Sequence, residues 1–271
     1  MWIRRSSEGV TPGGLFGLRA CLLIALAMLA APAWTHPDLL LQIEELDRAL
    51  ASRPADADLL TRRGDLHRQH EDYAAAAQDL AAARSAQPDY PLLDLYEGML
   101  LLDTGDPAGA EELFTRFLQE QPRLASAWIL RARARLALGL AYQAAADYAQ
   151  AILYADLPSP ELYRDWALAL VAAGEDHWNE ARDVVDIGLG LFPREVSLLA
   201  LGTDIALAEN QPGEAENYIN RLSQPITRLP RWQSRTETMK CLQAESAGGT
   251  AAVCQSAAVK ALQEQINQAD L

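Results

Sequence analysis

Glycine, alanine and proline residues recur along this 271-residue sequence at an interval of 34 residues. A fixed period of this length is typical of proteins built from stacked structural units. Because small residues and a helix-terminating proline keep the same period, each unit must pack closely against the next and end at an equivalent point. The residues that keep the interval are Gly64 and Gly98, Gly105 and Gly139, Ala76, Ala110 and Ala144, and Pro88 and Pro122.

Each unit has the apolar pattern of two amphipathic helices joined by a short turn. In the first unit, Leu60, Gly64 and His67 share one face of the leading helix, and Pro88 ends the unit. Half of the sequence is apolar, Ala and Leu dominate, and strand-forming residues are scarce. This composition favours an all-α protein.

The order and spacing of these residues resemble the tetratricopeptide repeat over roughly residues 57–224. The resemblance consists of Trp or Leu and then Gly or Ala in the leading helix, followed by Ala, an aromatic residue and Pro in the second. Trp128, Ala132, Ala144 and Tyr148 show it in the third unit. The resemblance implies a right-handed α-solenoid of stacked antiparallel helix pairs, with capping helices at both ends and a concave inner surface lined by the leading helices.

We therefore expect a capping helix within residues 34–56, about five repeats within 57–224, and a C-terminal helical hairpin cap within 225–271. The fourth repeat is two residues longer, in the stretch GEDHWNEA, so its turn is expected to bulge, and the fifth matches the pattern more weakly. The predicted repeats are 57–90, 91–124, 125–158, 159–194 and 195–224.

Residues 1–33 have the composition of a secretory signal peptide. Arg4, Arg5 and Arg19 precede the apolar run ACLLIALAMLAAPAW, and residues 31–33 fit a small-x-small cleavage pattern. A membrane anchor is the alternative, but the run is shorter than the roughly 20 residues that span a bilayer. The sequence predicts a periplasmic or secreted protein of a bacterial envelope that does not span the membrane after signal removal.

The charge of the chain disfavours nucleic acid as a partner. The sequence has a net charge of −14, and removal of residues 1–33, which carry three Arg and one Glu, makes it −16. Such a surface repels phosphate backbones. The predicted partner is therefore another protein or peptide, and no cofactor is predicted.

Cys241 and Cys254 are the two cysteines that remain after the predicted cleavage. An even pair in an oxidising compartment can form a disulfide, and a turn at Gly248-Gly249 between two helices would bring the thiols together. Two free thiols are the alternative. A redox-active C-x-x-C pair is absent from the sequence.

The sequence contains no recognisable catalytic motif, and we predict no catalytic residues and no metal site. No H-E-x-x-H, phosphate-binding glycine loop or G-x-S-x-G occurs. His67 and His70, three residues apart, could suggest a metal ligand pair, but His67 falls where the repeat needs a packing residue. His36 could chelate copper through its imidazole and α-amine only if cleavage followed Thr35.

The inward faces of the leading helices offer a more plausible site, which we call the predicted groove. It combines apolar side chains with isolated guanidinium groups, and it suits an extended or helical peptide whose carboxylates or carbonyls pair with Arg. The Arg side chains could instead only solvate the wall. Arg131 and Arg135 are expected to pair with acids of the adjacent unit such as Glu111 or Glu112. The predicted groove consists of Asp65, Arg68, Gln69, Leu95, Met99, Leu102, Ile129, Arg133, Leu136, Arg164, Leu168 and Val171.

These features favour a non-catalytic scaffold that binds a partner polypeptide in the predicted groove. Two alternatives stay open at this point. One is an exported enzyme or metal carrier that uses His36, and the other is a purely structural, self-assembling solenoid. The repeat by itself explains architecture and does not identify the partner.

Overall fold

The computed structural model describes residues 37–245 and 251–268, and every regular element in these residues is helical. The predicted signal peptide at residues 1–33, His36 and the Gly248-Gly249 turn lie outside the described residues. The all-α prediction is confirmed.

Helix α1, Pro37–Ser52, precedes five antiparallel helix pairs, each of which falls within one of the predicted repeats. In each pair the two helices pack against each other, and each pair also packs on the next. The pairs are α2 Ala57–Gln69 with α3 Tyr73–Ala86, α4 Leu93–Asp103 with α5 Pro107–Glu120, α6 Ala125–Ala137 with α7 Ala141–Tyr154, α8 Pro160–Ala173 with α9 Trp178–Leu191, and α10 Val196–Ala208 with α11 Pro212–Asn220.

The turn inside four of the five pairs uses one residue with a positive φ, two positions before the second helix begins. These residues are Glu71, Gly105, Gly139 and Asn210, with φ between 57° and 84°. The left-handed region is costly for most residues but not for glycine, so the Gly105 to Gly139 spacing marks a backbone requirement. In the fourth pair, the longer turn contains a 3-10 turn at Glu175–His177.

The two helices of a pair approach closely because a small residue on one faces a large residue on the other. A Cβ atom at Gly98 would lie 2.6 Å from the ring of Phe114, and one at Gly202 would lie 2.8 Å from the ring of Tyr218. One alanine of each second helix is completely buried where the helices cross. These alanines are Ala76, Ala110, Ala144, Ala181 and Ala215.

The inner side of the curved array is the side of the leading helices. Helix α2 contacts α4, α4 contacts α6, and α8 contacts α10, whereas no comparably extensive contact joins consecutive second helices among the described residues. Elements on the inside of a curve lie closer together than those on the outside. The leading helices therefore line the concave surface, as the repeat pattern predicts.

Buried ion pairs connect the two helices of the first and third pairs at equivalent positions. Arg63 contacts the buried carboxylate of Asp79 at 2.5 Å, and Arg131 contacts that of Asp147 at 2.7 Å. The two arginines and the two aspartates are each separated by two repeat lengths. Arg135 also binds Asp147, at 2.9 Å, so one carboxylate of the third pair holds two guanidinium groups.

Three further helices follow the array: the short α12, Gln224–Thr227, then α13, Pro230–Glu245, and α14, Ala251–Gln268. Helix α13 packs on α11 and buries Trp232. Helix α14 packs on α13, but more extensively on α10, so it turns back over the leading helix of the fifth pair. A disulfide joins Cys241 on α13 to Cys254 on α14, with Cα atoms 6.3 Å apart.

The close approach at Gly98 can be tested against a glycine that contacts nothing. Gly98→Ala is expected to lower the free energy of unfolding by about 1–2 kcal/mol, which is the cost of overpacking the fully buried Phe114 net of the gain in helix propensity. Gly190→Ala on α9 meets no atom within 4 Å and should raise stability by about 0.5–1 kcal/mol. Urea denaturation followed by circular dichroism measures both, and changes of the same sign would contradict the packing interpretation.

Removal of the shared carboxylate of the third pair should be among the most destabilising single changes. Asp147→Ala leaves Arg131 without its carboxylate partner inside the array and is expected to cost about 3–5 kcal/mol. Asp89→Ala, at an exposed loop residue, is the matched control and should change stability by less than about 0.5 kcal/mol. The same denaturation experiment applies, and equal midpoints for the two variants would show that the ion pair contributes little.

Candidate partner-binding groove

The inner faces of α2, α4, α6 and α8 form the surface that we call the groove. The structure distributes the twelve predicted groove residues among four environments. Some are held in polar networks or ion pairs, some are half-buried and apolar, some lie in the core, and one is exposed. Their positions decide which of them a partner can reach.

The predicted residues of α2 form a closed polar network. Arg68 donates to Asp65 Oδ1 at 2.8 and 2.9 Å and to Asp103 Oδ2 on α4 at 2.5 Å, and Gln69 donates to the other oxygen of Asp65 at 2.8 Å. Burial lowers the pKa of Arg68, but the bonds to Asp103 and Asp65 raise it more, so its net shift is upward. This guanidinium is therefore not isolated, contrary to the prediction, because α2 and α4 use it to bind each other.

Four apolar members of the predicted set remain half-buried on the groove, and they are Met99, Leu102, Ile129 and Leu136. Each packs on a core cluster with part of its side chain while the rest stays accessible. Partly covered aliphatic groups of this kind are suitable contacts for an apolar residue of a partner.

Three predicted groove residues lie in the core, so the prediction was wrong for them. Leu95 is 7% exposed, Leu168 is 2% exposed and Val171 is 4% exposed. Leu95 belongs to the cluster between the second and third pairs, and Leu168 and Val171 belong to the large C-terminal cluster. A helical period places residues on an inward face but does not show whether a neighbouring element covers that face.

Arg133 and Arg164 differ in how they are paired. Arg164 binds Asp165 beside it, with Nη2 at 2.8 Å from the carboxylate. Arg133 on α6 is exposed, and no carboxylate of the described residues forms an ion pair with it. Arg133 is therefore the predicted groove arginine whose charge is available to a partner.

Tyr148 places a phenol near these two arginines. Its side chain is fully buried, and no described residue offers its hydroxyl a hydrogen bond of acceptable geometry. Burial raises the pKa of Tyr148 and the charge of Asp165 adds to the rise, while the charges of Arg133 and Arg164 oppose it. The phenol is therefore neutral, and Arg133 is the nearby cation that no carboxylate holds.

A cavity at the N-terminal end of the groove was missed by the sequence interpretation. It has a volume of about 350 Å³ and lies between α1, α2 and α4, with Leu46, Arg62, Leu66 and Tyr96 among its walls. Burial raises the pKa of Tyr96, with a smaller contribution from the charge of Asp65. Tyr96 occupies the same position in the second unit as Arg62 in the first, so the repeat pattern does not predict an aromatic residue there.

The remaining sequence predictions concern other arginines and the histidines. Arg135 binds Glu111 of the preceding unit at 2.9 Å, as expected, whereas Arg131 binds Asp147 of its own unit. His67 is half-buried, with Nε2 3.8 Å from Asp79 Oδ2. In residues 37–245 and 251–268, no group of three His, Cys, Asp or Glu side chains is arranged to hold a metal ion.

Within the same residues, no helix is both long enough and apolar enough to cross a bilayer.

Comparison with protein families identifies the repeats. A tetratricopeptide repeat model matches residues 43–91 and 95–160, which contain the first three helix pairs. The matched residues consist of tetratricopeptide repeats, and the fourth and fifth helix pairs continue the same architecture beyond them. No curated protein matches the sequence.

Solved structures show the same fold at low sequence identity. The PilF protein of Pseudomonas aeruginosa is 15% identical with a TM-score of 0.58, and the match covers 81% of this chain and 96% of PilF. YrrB, described as a tetratricopeptide repeat protein with an unusual peptide-binding site, is 12% identical with a TM-score of 0.56, over 66% of this chain and 91% of YrrB. The chain also matches 43% of the length of yeast Tom70, at 16% identity and a TM-score of 0.49, which is too low to support a shared fold.

Proteins of this family are in general non-enzymatic scaffolds for protein–protein interaction, and the fold of this chain is the fold that serves that purpose. The concave surface of such an array is extended and continuous over several units. It therefore suits a polypeptide better than a small molecule.

Proposed function

We propose that this protein is a non-catalytic scaffold that binds a partner polypeptide in the groove formed by α2, α4, α6 and α8. The proposal depends on the exposed guanidinium of Arg133, which no carboxylate of the described residues binds and which lies beside half-buried aliphatic groups. A charge of this kind in a chain of net charge −14 favours a carboxylate or backbone carbonyl of a partner. The half-buried groups nearby supply the apolar contact area that anchors a peptide.

A few anchoring contacts are expected to dominate the affinity. Met99 and Ile129 lie on α4 and α6 and offer apolar contacts, and the cavity beside Tyr96 can receive one larger side chain. Arg68 contributes to the shape of the groove and not to its charge, since Asp65 and Asp103 already bind it. The partner is thus an extended or helical segment with an apolar residue near an acidic one.

We also propose a cellular location for this scaffold, which is the bacterial envelope. Arg4, Arg5, Arg19 and the apolar run that follows them support export to a bacterial envelope through a signal peptide at residues 1–33. The disulfide between Cys241 and Cys254 is compatible with an oxidising compartment. Fractionation of the native cells, with mass measurement of the mature N-terminus, tests the location, and retention in the cytoplasm with residue 1 intact would contradict it.

The groove is tested by reversing the charge of Arg133. Arg133→Glu should reduce partner recovery at least tenfold in cross-linking within living cells, because the new carboxylate repels the acidic segment that we expect there. Arg123→Glu is the matched control, since Arg123 is also exposed and forms no ion pair but lies in the turn between α5 and α6.

A photoreactive residue at position 99 reports whether the captured protein contacts the groove. We expect the same partner in the wild type and in Arg123→Glu. Equal recovery with Arg133→Glu and Arg123→Glu would mean that the partner binds outside the groove. Capture only by photoreactive residues placed on the second helices would lead to the same conclusion.

A further inference from the structure

The leading helices differ in how much of their surface is covered. Helices α6 and α10 have the same length, but three of thirteen residues are buried in α6 and ten of thirteen in α10. Both occupy the inner side of the array. An additional element must therefore cover the inward face of α10.

That element is α14. It packs along α10 and also reaches α8, and Ala258 and Leu262 are buried in the cluster that contains both helices. Cys254, Ala258, Leu262 and Ile266 are spaced by four residues and share one face of α14, as in any amphipathic helix that binds a groove. The inner face of α10, which continues the groove beyond α8, is thus occupied by a helix of the chain itself.

Two glutamine side chains fix the position of α14. Gln255 Nε2 donates to the carbonyl of Ala208 at the end of α10, at 3.2 Å, and Gln265 Nε2 donates to Asp204. Asp204 is 2% exposed and also binds Arg235 of α13 at 2.5 Å. Arg235 donates to both oxygens of this buried carboxylate, and Gln265 adds a bond from the helix that lies over α10.

Helix α14 buries fewer large apolar side chains than α13. Helix α13 anchors Trp232, Met239 and Leu242 in the core, whereas Ala258 and Leu262 are the buried side chains among the described residues of α14. The disulfide at Cys254 adds a covalent cross-link between the first turns of α14 and α13.

We infer that α14 acts as an internal ligand, and that the inward faces of α10 and α8 are a binding site for an amphipathic helix of the partner, which competes with α14. This inference rests on the proposed scaffold function and gives the partner its chemistry. The partner helix carries alanine or aliphatic residues four positions apart and a hydrogen-bond donor opposite Asp204. When the partner helix replaces α14, the apolar face of α10 stays covered. Neither the free nor the bound protein therefore exposes a large apolar surface on α10.

The test measures binding of a labelled synthetic peptide of residues 251–268, with Cys254→Ser, to the full-length protein. Leu262→Asp in the protein should undock α14, because a carboxylate cannot be buried there without a partner. Gln263→Asp adds the same charge on the exposed face of α14 and is the matched control. We expect the peptide to bind Leu262→Asp at least tenfold more tightly than Gln263→Asp or the wild type, and equal affinities would overturn the inference.

Two further peptides define the partner chemistry. A peptide with Leu262→Asp and Ile266→Asp should lose at least tenfold in affinity for the Leu262→Asp protein. An unrelated amphipathic helix with alanine, leucine and isoleucine at the positions of residues 258, 262 and 266 and glutamine at that of 265 should bind within tenfold of the α14 peptide. Failure of this unrelated helix would show that the site is built for α14 alone.

Hydrogen exchange of the wild type keeps the inference testable even if Leu262→Asp unfolds the C-terminal end. With the disulfide intact, the amides of α14 should exchange at least tenfold faster than those of α10, because α14 opens while the array stays folded. Equal protection of both helices would overturn the inference. None of these measurements uses Arg133. The Arg133→Glu experiment can therefore contradict the proposed function while α14 is displaced as described, and the α14 measurements can contradict this inference while the proposed function holds.

Discussion

The fold depends on close contact between the two helices of each pair and between neighbouring pairs. A helix pair on its own cannot bury its apolar faces, and the contact requires small residues where the helix backbones approach. The fully buried alanines of all five second helices, and the fit of Gly98 against Phe114, show this constraint. The array is stable as a sum of neighbouring interfaces, and its curvature follows from the closer approach of the leading helices.

Polar groups fix the relative positions of the helices within this apolar packing. Arg63 with Asp79 and Arg131 with Asp147 connect helices of a pair at equivalent points, and Arg68 connects α2 to α4 through Asp103. Because Asp65 and Asp103 bind Arg68, and Asp165 binds Arg164, the groove carries less free charge than its sequence indicates. Arg133 differs because no carboxylate of the described residues forms an ion pair with it.

The two ends of the array are closed differently, and this decides where a partner can bind. Helix α1 covers the first pair but leaves a cavity beside Tyr96, so the N-terminal part of the groove is accessible. Helix α14 lies over α10 and fills the C-terminal part. The open and closed parts meet near α8, where Leu168 and Val171 are already in the core.

The sequence by itself determined the helix pairs, their number and their order, because a 34-residue period of glycine, alanine and proline reflects local requirements of turn and packing. Helical periodicity also predicted that Met99, Ile129 and Arg133 face inward; Met99 and Ile129 are half-buried in the structure, and Arg133 is exposed. Only the tertiary structure decided that Arg68 is bound by Asp65 and Asp103, and that α14 covers α10. Pairing and covering depend on elements distant in sequence, and a period within one helix carries no information about them.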